Sequence, residues 1–136
     1  MLQKLGLVDL VKAIQKTVET NTGLRCYDAV PLNAPSPFYF AEVVGQTKAD
    51  NKTLYRDIYT VYIHCIAKPS KSSVEVYNLV QKLEEALTEN ITLADPFYLL
   101  SQTSTGLANI QTDETEEKHA IVGFEFMVAY GFKTKV

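Results

Sequence analysis

Residues 118–133 read KHAIVGFEFMVAYGFK, and their pattern is the clearest structural signal in the chain. Successive side chains of a β-strand point to opposite faces of a sheet, so a repeat of two residues predicts a strand with one buried face. The repeat holds over thirteen residues, 120–132. One face carries Ala120, Val122, Phe124, Phe126, Val128, Tyr130 and Phe132, and the other carries Ile121, Gly123, Glu125, Met127, Ala129 and Gly131.

A second alternating stretch lies at residues 54–67. One of its faces carries Tyr59, Val61, Ile63, Cys65 and Ala67, and the other carries Thr60, Tyr62, His64 and Ile66. Both faces are apolar enough to be covered. This pattern predicts a strand that packs against helices on one side and against a second layer or another subunit on the other.

Two segments have the spacing of amphipathic helices. The first lies within residues 2–22 and ends before Gly23, a residue that commonly terminates helices. Its apolar stripe is Leu7, Leu10, Val11, Ile14 and Val18. The second follows Pro69, and Ser72 with Glu75 three residues later predicts a capping box at its start. Its stripe is Val76, Leu79, Val80, Leu83 and Leu87.

The remaining strands are predicted at residues 25–30, 38–46 and 97–111, the last with a bulge at Gly106. The element order α-β-β-β-α-β-β predicts an α+β fold in a single domain, 1–136. We expect a mainly antiparallel sheet of about five strands with two helices packed on one face. The edges of such a sheet must be paired, blunted or covered, and a ring of subunits would cover them.

The amino-acid composition restricts the classes of function that the chain can have. The chain has 136 residues, 46% of them hydrophobic and 21% charged, which is typical of a folded globular domain. Its 13 basic and 16 acidic residues give a net charge of −3, so it lacks the basic excess of nucleic-acid-binding proteins. Asp9 and Lys12 interrupt the N-terminal apolar residues, so we expect synthesis in the cytoplasm and no membrane association.

The reactive side chains form no catalytic or metal-binding pattern. Cys26 and Cys65 lie in apolar strand-like segments, where they are expected to be buried. His64 and Cys65 are adjacent on a strand and point to opposite faces, whereas His119 could approach either cysteine. The spacing of these residues matches no zinc motif, and no phosphate-binding loop occurs. We therefore expect no enzymatic activity and no cofactor.

A proline-rich connector precedes the first long strand. Residues 27–38 read YDAVPLNAPSPF, and Pro31, Pro35 and Pro37 keep the segment extended between the first helix and the strand pair. A connector of this form in this place resembles the tail completion and tail terminator proteins of long-tailed phages.

That resemblance implies a structural role in the virion. Members of the family are expected to form a ring, usually a hexamer, at the head-proximal end of the tail tube. The ring stops tube polymerisation and presents a surface to the head connector. The implied partners are further copies of the chain, the tail tube protein and the head connector protein.

Two charged loops are the candidate contacts with adjacent subunits or with the tube and connector rings. The basic loop, residues 47–53, contains Lys48, Asp50 and Lys52, and Arg56 follows it closely. The acidic turn, residues 112–117, contains Asp113, Glu114, Glu116 and Glu117. Their opposite charges suit a head-to-tail ring contact. Solvated loops without a partner are the alternative.

Two other functions fit the same sequence. A different head-tail connector or neck protein would share the size, the acidity and the ring formation. A small-molecule-binding or enzymatic α+β domain would instead have a pocket between sheet and helices, with polar groups converging there and a perturbed His64 or His119.

Overall fold

The computed structural model describes residues 1–113 and 116–133. The observed order of elements is the predicted one and confirms the α+β class. The elements are α1 (Leu7–Thr22), β1 (Cys26–Tyr27), β2 (Phe38–Lys48), β3 (Leu54–Ile66), α2 (Val74–Ala86), β4 (Tyr98–Thr112) and β5 (Lys118–Phe132).

The strands form one five-stranded sheet in the order β1-β2-β3-β5-β4. The three contacts among the long strands are antiparallel, whereas β1 is parallel to β2. The sheet is therefore mainly antiparallel, as predicted. β1 has only two residues because the proline-rich connector overlaps its end at Tyr27. That connector brings the chain back to start β2 alongside β1 in the same direction.

The core contains alternate residues of the long strands. Val61 and Ile63 of β3 and Val122 and Phe126 of β5 are fully buried. They belong to one hydrophobic cluster that also contains most of the predicted apolar stripes of both helices, whereas Leu7 of the first stripe is exposed. The helical members of the cluster are Leu10, Ile14, Val18, Val76, Leu79 and Leu83. Packing of both helices on one face of the sheet stays a prediction.

The predicted end of α1 at Gly23 is confirmed, whereas the predicted capping box at the start of α2 is not formed. Gly23 ends α1 in the left-handed conformation, with φ 76°, and its N–H donates to the carbonyl of Glu19. The predicted capping box at Ser72 is wrong, because the N-cap of α2 is Ser73 and its side chain makes no capping hydrogen bond. Ser72 instead accepts a hydrogen bond from the N–H of Val74 through its Oγ, at 3.2 Å.

Tyr39 joins the first three strands to α2. Its side chain is fully buried, and its hydroxyl donates a 2.8 Å hydrogen bond to the carbonyl of Leu79. Its own N–H donates to the carbonyl of Arg25 at 2.8 Å, and it pairs with Cys65 across the β2–β3 ladder. Burial raises the pKa of this phenol, which therefore stays protonated.

Removing only the hydroxyl of Tyr39 measures the strength of this connection. We expect Tyr39→Phe to lower the free energy of unfolding by about 1 kcal/mol, because one buried hydrogen bond is lost while the ring is kept. Urea denaturation provides the measurement. Tyr77→Phe on the exposed side of α2 is the matched control and should change the stability by less than about 0.5 kcal/mol. Equal effects of the two changes on the free energy of unfolding would contradict a stabilising role for the hydrogen bond between Tyr39 and Leu79.

Candidate assembly surfaces

The basic loop is organised around the carboxylate of Asp50. This carboxylate accepts a hydrogen bond from the N–H of Arg56 at 3.0 Å and lies 2.9 Å from the Nζ of Lys48. The Nζ of Lys133 lies 3.7 Å from the same carboxylate. The N–H of Arg56, followed by the charge of Lys48, lowers the pKa of Asp50. Three of the predicted contact residues, Lys48, Asp50 and Arg56, thus hold the loop in shape.

Other backbone contacts make the loop a defined surface. The side-chain oxygen of Asn51 accepts hydrogen bonds from the N–H groups of Thr53 and Leu54, at 3.0 and 2.7 Å. The guanidinium of Arg56 donates to the carbonyl of Ala49 at 2.8 Å. Lys52 is exposed, and its ammonium has no contact within residues 1–113 and 116–133. Lys48 is also 67% exposed but is paired with Asp50, so Lys52 is the more available of the two lysines for an outside partner.

An ion pair between Lys4 and the buried Asp57 fixes the N-terminal segment beside the basic loop. Asp57 is only 2% exposed, and its carboxylate lies 2.6 Å from the Nζ of Lys4. It also accepts a 3.0 Å hydrogen bond from the Nε2 of Gln46. The hydrogen bond to Asp57 raises the pKa of Lys4, although partial burial opposes this shift. Loss of Lys4 would leave a buried carboxylate without its counterion.

The acidic turn closes through its backbone. The N–H of Asp113 donates to the carbonyl of Glu117 at 2.8 Å, and the N–H of Glu116 donates to the carbonyl of Asp113 at 2.9 Å. Glu116 is exposed and has a positive φ of 65°. Glu114, the fourth predicted residue of this turn, lies outside the described residues.

The basic loop and the acidic turn lie at opposite ends of the sheet. The basic loop joins β2 to β3, and the start of β3 at Leu54 pairs with the end of β5 at Phe132. The acidic turn joins β4 to β5, and the start of β5 lies beside the end of β3, where His119 pairs with Ile66. Thirteen residues of strand separate the two ends by about 40 Å. One subunit therefore cannot bring its own two loops together.

A chain of four titratable side chains lies at the acidic end, on the sheet face that does not contribute to the core cluster. The Nε2 of His64 is 3.0 Å from the Oε1 of Glu42, and its Nδ1 is 2.7 Å from the Nε2 of His119. The Nδ1 of His119 is 3.5 Å from the Oδ1 of Asp113. The ring of Phe40 stacks on His64 with a centroid separation of 4.0 Å.

The number of protons on the two imidazole rings determines which of these four side chains are hydrogen-bonded. Three contacts need three N–H groups, whereas two neutral imidazoles carry two. With both rings neutral, the two shorter contacts are made when His64 donates to Glu42 and His119 donates to His64. The longer contact to Asp113 then lacks a proton. Burial is the main cause that lowers the pKa of His64; the hydrogen bond to Glu42 opposes this shift, and the charge of His119 adds to it.

Comparison with known proteins identifies the family. A family model described as "Putative tail termination protein" (Phage_tail_terminator_4) matches residues 1–136. The chain belongs to the phage tail terminator family. It is therefore a structural protein of the phage tail and part of the virion. The resemblance based on the proline-rich connector is confirmed.

A solved structure supports the same architecture. One of its chains, in a structure titled "Virion of native gene transfer agent (GTA) particle", matches with a TM-score of 0.73. The match covers 90% of this chain and 96% of that chain at 16% sequence identity. At this level of identity the likeness shows a shared fold. A comparison with curated proteins found no match.

The structure separates the cysteines from the histidines. Cys26 and Cys65 are members of the core cluster, whereas His119 pairs with Ile66 on the other side of the sheet. The predicted option that His119 approaches a cysteine is therefore wrong. Successive side chains of β5 point to opposite faces of the sheet, and His119 lies on the face away from the core. Burial raises the pKa of Cys26 to about 12 and also raises the pKa of Cys65. Both thiols stay protonated.

A metal site, a membrane-spanning helix or a ligand cleft in the described part of the chain would indicate another kind of function. No group of three or more His, Cys, Asp or Glu side chains there could hold a metal ion. In the same residues no helix is long and apolar enough to cross a membrane. A surface cleft beside α2 is lined by Pro37, Lys68, Glu75 and Lys82 and contains neither histidine.

The buried histidine predicts a specific dependence of stability on pH. The ordinary pKa of 6.5 is lowered in the folded state, so the unfolded chain protonates first as the pH falls. Wild-type protein should therefore lose stability relative to His64→Gln as the pH falls through 6.5. Urea denaturation of both proteins between neutral and mildly acidic pH provides the measurement. A stability difference that does not vary with pH would contradict burial of a neutral His64.

Proposed function

We propose that this chain forms a ring at the head-proximal end of the tail tube, where it stops tube polymerisation and joins the tail to the head connector. Membership of the tail terminator family supports a role in the tail. The observation that carries the finer proposal is the placement of two loops of different charge at opposite ends of one sheet.

A terminator needs two different surfaces, because it meets the tube on one side and the connector on the other. If the strands run along the tail axis, the basic loop faces one of these rings and the acidic turn faces the other. The internal hydrogen bonds of the basic loop favour this role, because a loop that is already ordered loses less entropy on binding. Lys52 and Glu116 are exposed and are the charges that we expect to reach the neighbouring rings.

A second arrangement uses the same loops differently. If the strands run around the ring, the basic loop of one copy meets the acidic turn of the next copy. Their opposite charges and their placement at opposite ends also support such a heterologous contact. In both arrangements the chain acts by binding and catalyses no reaction. The partners are further copies of the chain, the tail tube protein and the head connector protein.

Electron microscopy of particles made without this chain tests the proposed function. We expect free heads beside unjoined or overlong tails, because neither tube termination nor joining can occur. Expression of the chain from a plasmid should restore joined virions. Joined virions with tails of normal length in its absence would refute the proposal. Tails of normal length that stay unjoined would instead indicate a neck protein on the connector side.

A charge exchange tests the two loops. Lys52→Glu should reduce the yield of joined virions, with Lys52→Arg as the charge-preserving control. Each exposed contact is worth about 0.2–1 kcal/mol, and the loss repeats in every copy of the ring. Counting joined virions at two salt concentrations measures the effect, which should be smaller at high salt because salt screens exposed charges. An unchanged yield would remove Lys52 from the contact.

Combining Lys52→Glu with Glu116→Lys separates the two arrangements. If neighbouring copies meet through these loops, the double variant restores the contact and the yield. If the loops face different rings, each reversed charge meets its original partner and the yield stays low. Particle counts for the two single variants and the double variant therefore determine which arrangement is used.

A further inference from the structure

The outer edge of β4 has no partner within the described part of the chain. β4 pairs with β5 along one side and is the last strand of the sheet. None of its 15 residues is buried, and all but four are exposed. The backbone hydrogen bonds outside the regular ladders do not involve β4. Apart from the N–H of Gly106, which donates to the Oγ of Ser104 at 3.1 Å, backbone N–H and C=O groups are therefore available along this edge.

The composition of β4 does not protect this edge. Exposed edge strands are commonly blunted by charged residues, especially lysine, or by proline. β4 reads YLLSQTSTGLANIQT and contains neither, whereas β2, β3 and β5 each contain charged residues. Three register shifts, at Leu100, Thr105 and Ala108, interrupt its ladder with β5 and are the one edge-protecting feature of this strand, and they leave Ser101–Ser104 as a regular stretch. An uncharged edge of this length is typical of a strand that is paired in its functional state.

The opposite side of the sheet offers a second free edge. β1 covers β2 only at Tyr39 and Phe40. Residues 41–48 of β2 extend beyond β1, and β3 is their single ladder partner among the described residues. Each copy therefore has one free edge on each side of its sheet, which is what a repeating head-to-tail contact requires.

Strand directions make these two edges compatible. Because each neighbouring pair among β2, β3, β5 and β4 is antiparallel, β2 and β4 run in opposite directions. Two copies placed side by side in the same orientation therefore bring β4 of one against β2 of the other as an antiparallel pair. β4 adds no charge that would repel Glu42 or Lys48 of the second copy.

We propose that the free edge of β4 pairs with the free edge of β2 in a second copy of this chain, so that the sheets of neighbouring subunits are continuous. This inference rests on the proposed ring and specifies the contact that builds it. It corresponds to the arrangement in which the charged loops face the adjacent rings.

Cross-linking of introduced cysteines tests the pairing. Thr47 of β2 and Thr103 of β4 are exposed and lie on the same face of the sheet, because Thr47 pairs with Ile58, Ile58 pairs with Met127, and Thr103 pairs with Glu125 two residues away. A flexible bis-maleimide tolerates small differences in register. The native Cys26 and Cys65 are buried and give a low background.

The double variant Thr47→Cys/Thr103→Cys should give a ladder of covalent multimers larger than dimers, in purified virions or with the purified chain. Thr103→Cys combined with Gln81→Cys on α2 is the matched control and should give no ladder. The absence of a ladder from both preparations would overturn the proposal. Efficient dimers from Thr103→Cys alone would also overturn it, because they would indicate pairing of β4 with β4.

Edge lysines provide a second test. Ser101→Lys/Thr103→Lys should abolish ring formation and incorporation into virions, whereas Tyr77→Lys/Gln81→Lys on α2 should not. Thermal unfolding of both variants shows whether the subunit still folds. Incorporation of a folded edge variant at the wild-type level would refute the pairing.

These results can be distinguished from failure of the proposed function. Joined virions with normal tails in cells lacking the chain would refute the tail role, but a cross-linked ladder would still support pairing of β4 with β2. Joined virions that contain the double cysteine variant but give no ladder would refute edge pairing and would leave the tail role intact.

Discussion

The register between β3 and β5 is the constraint on which the rest of the structure depends. The ladder contains thirteen residue pairs and places Val61 opposite Phe124 and Ile63 opposite Val122. A slip of one residue would turn every side chain of a strand to the other face, so the buried apolar residues would meet water. Burial of each such side chain contributes about 1.5–3 kcal/mol, which makes the observed register strongly preferred.

The same register determines what lies outside the core. It places His64 and His119 next to each other on the face that does not contribute to the core cluster, where their partners Glu42 and Asp113 complete the polar chain. It also sends the two charged loops to opposite ends. Through direct contacts between these four side chains, β2, β3 and β5 are linked to the acidic turn.

Much of this fold could be predicted from local patterns, and the site could be predicted only in part. The repeat of two residues in β5 and the glycine at the end of α1 are local signals, and both predictions are confirmed. β1 is too short for its direction to be visible in the sequence. The pairing of His64 with His119 depends on how two distant strands align. The available signal was that both residues occupy non-core positions in two strands whose hydrophobic patterns predict central places in the sheet. The internal hydrogen bonds of the basic loop depend on backbone geometry that composition does not reveal.

The separation of the two loops gives any ring of side-by-side copies a direction. If all copies point the same way, every basic loop lies on one rim and every acidic turn lies on the other. Such a ring has an upper and a lower surface that are chemically different, and turning it over would present each neighbour with the wrong charge. The orientation of the joint within the particle would then be encoded in the subunit itself, without a separate factor to set it.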